Sequence, residues 1–282
     1  MSYTTQTHTT TYPSLSTFSL PSATTTILIT GAGSGIGRAT ALSHARAGAK
    51  SLILLGRRPE PLASTAHLIN SAHPSVSVSV YPVDILDSAA LASVFASHPA
   101  VDVVIHAAGD LLPLQPIADQ DQDTLWRSFE TNARGALNVA LAFVASLPDQ
   151  KEGGVFVALS SAGVFMPAFA GVGAYLSSKL AAVRLLDSLA AESVGRLRVT
   201  HVHPGTVRTG MAEEFERAGV VFPYDDVSLP ADFLVWAGSA EAGFLGGRYV
   251  FANWDVDELK QRREEIEKSR DLTVGLVGFP RV

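Results

Sequence analysis

TGAGSGIG, residues 30–37, follows directly on the apolar run Ile27–Leu28–Ile29 and places glycine at 31, 33, 35 and 37. A glycine costs roughly 0.5–1 kcal/mol of extra ordering relative to alanine inside a regular element, so this stretch must need bare backbone. A strand that ends in a tight turn and hands over to a helix aims backbone N–H groups and the positive end of the helix dipole at one spot. That spot suits a pyrophosphate, provided no Cβ holds the phosphate away. The spacing is not GxGxxG, because positions 31, 33 and 36 hold Gly, Gly and Ile; it fits TGxxxGxG, with Thr30, Gly31, Gly35 and Gly37. Ser34 and Ile36 belong to the same cradle. The plainer alternative is a tight strand–helix turn that binds nothing. The strand before, the helix after and the first place in the sheet argue against it.

Outward from this turn, short β-branched or apolar runs alternate with stretches of helical period. The strands read as Thr26–Thr30, Ser51–Leu55, Val76–Tyr81, Val101–His106, Gly154–Leu159, Leu197–His203 and Arg248–Phe251. The helices read as Gly35–Gly48, Glu60–Ser71, Ser88–Ser97, Asp121–Leu147 and Ala174–Val194. The alternation predicts a single-domain α/β fold: a Rossmann-type, doubly wound, parallel seven-stranded sheet with helices on both faces. Right-handed crossovers put the ligand crevice at the C-terminal ends of the strands. The domain spans 23–282, with a mobile lid at about 209–231, where Pro223 and Pro230 bracket polar residues, and a helical tail at about 255–282. Residues 1–22, rich in Thr and Ser, read as a flexible or surface-lying arm.

The chain of 282 residues is 47% hydrophobic and 17% charged, with a formal net charge of −6. That balance offers no basic face to a phosphodiester backbone, so nucleic acid is not an expected partner. No apolar run reaches the ~18 residues of a membrane span. With no cysteine there is no disulfide, no thiolate chemistry and no zinc site of the cysteine type. The N-terminus has neither a secretion signal nor the arginines of a mitochondrial presequence, and the C-terminal GFPRV is no recognisable address. A cytoplasmic location is the resulting expectation.

The second strand selects the cofactor. In dinucleotide folds the residue ending that strand touches the adenosine ribose, and a carboxylate there binds the 2′-hydroxyl and repels a 2′-phosphate. Here SLILLGRRP ends at Gly56 with Arg57 and Arg58 behind it. Two guanidiniums favour NADP (NADPH) over NAD through charge-assisted bonds to the phosphate. They read alternatively as an exposed helix-start pair. Asp84 and Ile85, just past the third strand, could receive the adenine amino group, or Asp84 could cap a helix.

GAYLSSKLAAVRLL carries Tyr175 and Lys179, four apart at a helix start and therefore on one face. An ammonium at ~4 Å favours phenolate by ~4 kcal/mol at an effective dielectric of ~20, which readies the tyrosine for acid–base work. Upstream, VFVALSSAG runs a strand into Ser160 and Ser161. Asn132 falls within a long helix, where a buried asparagine asks for a polar reason. Downstream, HVHPGTVRTGM ends the sixth strand in a Pro–Gly turn followed by Thr206 and Thr209.

Together these motifs resemble the short-chain dehydrogenase/reductase family, from about Thr24 to Phe251. The resemblance implies a tetrad of Asn132, Ser161, Tyr175 and Lys179. It adds Ala108, Gly109, Pro204, Gly205, Val207 and Thr209 to the cofactor contacts, with Thr209 near the nicotinamide carboxamide. It also implies hydride transfer between nicotinamide and a carbonyl or alcohol. In that scheme Ser161 holds the carbonyl oxygen, Tyr175 exchanges its proton, and Lys179 lowers the Tyr175 pKa and holds the ribose. Asn132 fixes a water that links Lys179 to solvent. One departure is that NNAG stands here as His106–Ala107–Ala108–Gly109. His106 replaces a lost sheet bond, or is a satisfied core histidine. His201 and His203 alternate on a strand, but without a third ligand no metal site is expected. The tail is similar to those of fungal members.

Leu111, Leu112, Phe165, Met166, Phe169 and Phe215, together with Ser161, suggest an apolar cavity for a small-molecule carbonyl or alcohol, or else packing of the lid. The apolar faces of Asp121–Leu147 and Ala174–Val194 point, by the same resemblance, to a homodimer or homotetramer. The rival readings are an NADP-binding regulator without turnover, or an NAD-dependent alcohol dehydrogenase or epimerase.

Overall fold

Thr26–Thr30 and Val103–His106 pair in parallel at the middle of a sheet, with Thr30 opposite His106. This computed structural model describes residues 2–20, 25–148, 153–193 and 195–276. Residues 21–24, Val194 and the GFPRV terminus, on which parts of the arm, helix and tail expectations fall, lie outside the described residues. The chain runs α1 (Pro13–Ser16), β1 (Thr26–Thr30), α2 (Gly35–Arg46), β2 (Ser51–Gly56), α3 (Pro59–Ala72), β3 (Ser77–Pro82), α4 (Ser88–Ser97) and β4 (Val103–His106). It continues through α5 (Gln122–Phe129), α6 (Gly135–Ser146), β5 (Gly154–Leu159), α7 (Gly173–Glu192), β6 (Leu197–His203) and α8 (Gly210–Arg217). Last come α9 (Ser228–Ala237), β7 (Arg248–Phe251), α10 (Val256–Gln261) and α11 (Arg263–Lys268).

Among the described residues the sheet has seven parallel strands in the order β3-β2-β1-β4-β5-β6-β7. The order reverses between β1 and β4, so a crevice opens beyond their C-terminal ends. Side chains alternate across the sheet. Ile27, Ile29, Leu52, Leu54, Val103 and Ile105 face a core shared with α2, α3 and α9. Leu28, Ile53, Leu55, Val104 and Phe156 face a second core shared with α4, α6 and α7. Burial of each such large apolar side chain stabilises the fold by roughly 1.5–3 kcal/mol, which fixes the strand register.

Three segments differ from the sequence reading. The long helix expected over 121–147 is broken by a π-turn, Glu130–Arg134, between α5 and α6. Helix α9 replaces the end of the expected lid: Leu229, Pro230 and Ala231 are buried in the core. Its residues are buried all round, so no 3.6-residue alternation marks it in the sequence.

Third, the helical tail expected at about 255–282 ends at Lys268, and residues 269–276 form no helix. Of the two readings of the arm, flexible or surface-lying, the structure takes the second. Residues 2–18 do not hang free but lie on the body's C-terminal segments. Leu15 is buried, and Thr5 and Gln6 N–H groups donate to the Glu258 carboxylate at 2.6 and 2.9 Å. His8 Nε2 meets Asp255 Oδ2 at 2.9 Å, and the Arg262 guanidinium lies 3.6 Å over the Tyr3 ring. These partners are more than 240 residues away in sequence, so the polar composition that suggested flexibility gave no sign of them.

Candidate active site

The glycine turn is built by close approach. Gly31 has φ +68°, and a Cβ there would lie 2.9 Å from Ala108 N. A Cβ on Gly37 would come within 2.3 Å of the Gly31 carbonyl oxygen, so α2 starts hard against the end of β1. Ser34 precedes α2 without capping it through its side chain, which leaves the first-turn N–H groups open. Thr30 is buried under the turn: its Oγ1 accepts from Ala108 N–H at 3.1 Å and meets His106 Nδ1 at 3.1 Å. His106 therefore does tie β4 to β1, while its Nε2 is buried without a hydrogen-bond partner among the described residues. Burial pushes the imidazole down to about 3, with Lys179 adding to the shift.

A groove of about 520 Å³ opens over this turn. It is lined by Gly31, Ser34, Gly35, Ile36 and Gly37, by Arg57 and Arg58, by Asp84 and Ile85, by Ala108 and Gly109, by Tyr175 and Lys179, and by Pro204 and Thr209. Of the expected site residues, Thr30, Asn132, Ser161, Gly205 and Val207 do not line it, and Ser160 lines it in place of the expected Ser161. Thr131, Arg208 and Met211 line it too. Sequence reasoning passed over Arg208 although it sits inside the same Pro–Gly segment. Asp84 does not cap α4; its Oδ1 accepts from Leu86 N–H at 2.9 Å, and the cap is Asp87.

Tyr175 and Lys179 reach the groove from the first turns of α7. The Tyr175 phenol is pushed up to about 12 by burial, and the Ser161 hydroxyl beside it offsets part of that rise. This corrects the expected Lys179-driven drop. The Lys179 ammonium instead donates to the Leu159 carbonyl at 3.1 Å, and burial lowers it to about 8. Ser161 Oγ also accepts from Gly163 N–H at 3.4 Å. The next N–H, that of Ala162, donates to His203 Nδ1 at 3.2 Å, so a β6 histidine fixes the serine loop.

Asn132 sits on the π-turn, a device common near functional sites. Its Oδ1 accepts from Asp110 N–H at 2.9 Å, and its Nδ2 donates to Asp110 O at 2.9 Å and to Ser178 Oγ at 3.1 Å. Ser178 donates in turn to the Tyr175 carbonyl at 2.7 Å. A cavity of about 10 Å³ separates this cluster from His106 and His201. His201 and His203 serve different partners, because His201 Nε2 meets Asp187 at 2.8 Å. Among the described residues no cluster of three metal-ligating side chains occurs.

None of the six apolar residues expected to form a substrate cavity lines this groove. Leu111 is buried, whereas Phe165, Met166 and Phe169 are exposed. Phe165 meets the Tyr249 ring edge-on at 4.7 Å, and Phe215 meets Phe222 at 5.4 Å.

The site fits a dinucleotide. The turn tolerates no Cβ at 31 or 37, the helix N-terminus is open, and among the described residues neither Arg57 nor Arg58 has a hydrogen-bond partner. The family model for short chain dehydrogenase matches residues 25–219. A "Short chain dehydrogenase/reductase" of Claviceps purpurea (strain 20.1) is 34% identical over 89% of this chain and 86% of its own. "Short chain dehydrogenase citE" of Monascus ruber is 33% identical over 96% and 95%. Among solved structures, the oxidoreductase yciK from E. coli superposes with a TM-score of 0.73 at 27% identity, covering 86% of this chain and 98% of that one. The chain belongs to the short-chain dehydrogenase/reductase family, whose fold binds a nicotinamide cofactor. No helix among the described residues is long and apolar enough to cross a membrane.

Proposed function

We propose that this oxidoreductase transfers hydride between NADP(H) and a carbonyl or secondary alcohol of a small apolar metabolite, with reduction as the working direction. The observation that carries the reading is the buried Tyr175 phenol, beside Ser161 and one helical turn from Lys179, at the mouth of the glycine turn. A phenol pushed up to about 12 is protonated at neutral pH, the form required of a proton donor.

The Gly31–Gly37 turn and the α2 N-terminus would hold the pyrophosphate, Arg57 and Arg58 the 2′-phosphate, and Asp84 and Ile85 the adenine. Pro204, Val207 and Thr209 would flank the nicotinamide. When bound, NADPH supplies the hydride that becomes the new C–H bond of the alcohol. Tyr175 gives its phenolic proton to the carbonyl oxygen while Ser161 donates a hydrogen bond to the same oxygen. The Lys179 ammonium stabilises the phenolate left behind and holds sugar hydroxyls. Asn132 keeps α7 and the Asp110 loop in register through Ser178. The exposed Trp126 and Leu141 and the neighbouring Leu180 and Leu185 support pairing of the α5–α6 and α7 faces between copies in a homodimer or homotetramer.

The test is NADPH oxidation by the purified protein across a panel of ketones and aldehydes, with Tyr175→Phe alongside. Turnover should fall by orders of magnitude in the variant while NADPH binding stays within about twofold. Comparable turnover in both proteins would remove Tyr175 from the chemistry. Binding of NADPH without turnover of any carbonyl or alcohol would favour the regulator instead.

A further inference from the structure

Gly205 shows why the Pro–Gly turn after β6 needs a glycine. Its φ is +83°, and a Cβ there would lie 2.4 Å from Asp225 Oδ2 and 3.2 Å from Asn253 Oδ1. Two polar side chains from distant segments are thus packed against the backbone of the loop that borders the groove.

The bonds around them form one continuous path. Asp225 Oδ2 accepts from Thr206 N–H at 2.7 Å, and Asp225 N–H donates to Thr206 O at 2.7 Å. Val207 bridges Asp225 in parallel. Asn253 Nδ2 donates both to Asp225 Oδ1 at 3.0 Å and to the His8 carbonyl at 2.9 Å. His8 N–H donates back to Asn253 O at 2.8 Å, and Asp226 N–H donates to Thr9 O at 2.7 Å. Thr7 forms an antiparallel bridge with Trp254. Thr7 and His8 therefore pair with 253–254, Thr9 pairs with Asp226, Asn253 holds Asp225, and Asp225 holds 206–207. Three residues further along, Thr209 lines the groove, and its Cγ2 lies 3.2 Å from where a Gly35 Cβ would stand.

We infer that Asp225 and Asn253 are positioning residues, a latch through which the N-terminal arm sets the loop 204–209 against the nicotinamide half of the bound dinucleotide. The inference rests on the nicotinamide reading of the groove. Left unlatched, the loop has no other side-chain hydrogen bond among the described residues at Thr206 N–H, and its ordering must be repaid when the cofactor binds. The residues that would hold the adenine half, on β2, α3 and just past β3, lie outside the latch.

The experiment uses Asn253→Ala and Asp225→Ala, and His8→Pro to remove the arm's own N–H, with His8→Gln as the control that keeps both that N–H and a side-chain donor toward Asp255. In the protein without nucleotide, the three latch variants should speed amide hydrogen exchange over 204–209, while His8→Gln should not. Unchanged exchange in that loop overturns the latch whether or not any nucleotide binds. With ligand, NADPH affinity should fall about tenfold in each latch variant. Affinity for 2′,5′-ADP, which lacks the nicotinamide half, should stay within about twofold of the parent. The pair His8→Pro and Asn253→Ala should weaken NADPH no more than either alone, since both disrupt the same His8–Asn253 contact. Equal weakening of both ligands would show general loosening and overturn the proposal. Failure of the parent protein to bind NADPH would instead sink the nicotinamide reading, with the exchange data still deciding the latch.

Discussion

Lys179 Nζ donates to the carbonyl oxygen of Leu159 at 3.1 Å, anchoring the α7 lysine to the last residue of β5. The ammonium is almost fully buried, and among the described residues no carboxylate pairs with it, so burial lowers it from 10.5 to about 8. Below about pH 8 the folded protein carries a charge in a place that disfavours it, at an expense of about 3 kcal/mol. Between about 8 and 10.5 the unfolded chain binds the extra proton, so this group makes stability rise with pH. Lys179→Met should therefore be inactive yet more stable at pH 7, and its urea midpoint should lose the gain that the parent shows between pH 7 and 9.5. In the parent, kcat/KM should fall as pH rises through about 8, as the free enzyme loses the ammonium. A less stable Lys179→Met at pH 7 would contradict the burial argument.

Three imidazoles act in the opposite pH range. Burial lowers His44 to about 4, His106 to about 3 and His203 to about 4. Their contribution is complete above the unfolded value of 6.5 and is lost as pH falls toward the folded values, because the unfolded chain takes up the protons first. From pH 6.5 to 5 each should remove about 2 kcal/mol. Urea melts at pH 5, 6 and 7 measure the slope, and His106→Asn should flatten it by about a third. An unchanged slope in that variant would mean that His106 is not held neutral.

Gly37→Ala should disturb both stability and binding. The new Cβ would meet the Gly31 carbonyl oxygen at 2.3 Å, a backbone atom that cannot swing aside. Overpacking of this kind costs about 1–3 kcal/mol and pushes the turn open. Thermal melting should drop by several degrees and NADPH affinity by about tenfold or more. Gly243→Ala, with nothing within 4 Å of its Cβ, is the control and should melt like the parent.

The parts of the molecule legible in the sequence are those whose cause is local. Gly154–Leu159, Leu197–His203 and Arg248–Phe251 form strands with the bounds that their apolar runs suggest. The glycine turn declares itself because close backbone approaches at Gly31 and Gly37 force the residue type. What stayed hidden depends on partners far along the chain. The arm's holds on Glu258, Asp255 and Asn253 leave no trace in residues 1–22. Asn132 signals a polar need, but the π-turn that satisfies it has no composition of its own. The Tyr175 expectation failed because it fixed a distance to Lys179 and left out burial, which dominates here.

Arg57 and Arg58 close the crevice at the end of β2, both exposed and without hydrogen-bond partners among the described residues. Nothing in the fold depends on their charge, so Arg57→Ala/Arg58→Ala should change stability by less than about 0.5 kcal/mol. Their proposed work is to meet a 2′-phosphate, and charge-assisted bonds to a phosphate are worth roughly 1.5–3 kcal/mol. The double variant should therefore raise the KM for NADPH by about ten- to hundredfold while leaving that for NADH within about twofold. The comparison separates the cofactor question from the chemistry, because kcat at saturating cofactor should hold. Equal KM changes for both nucleotides would place the arginines outside phosphate selection, and a parent preference for NADH would overturn the assignment directly.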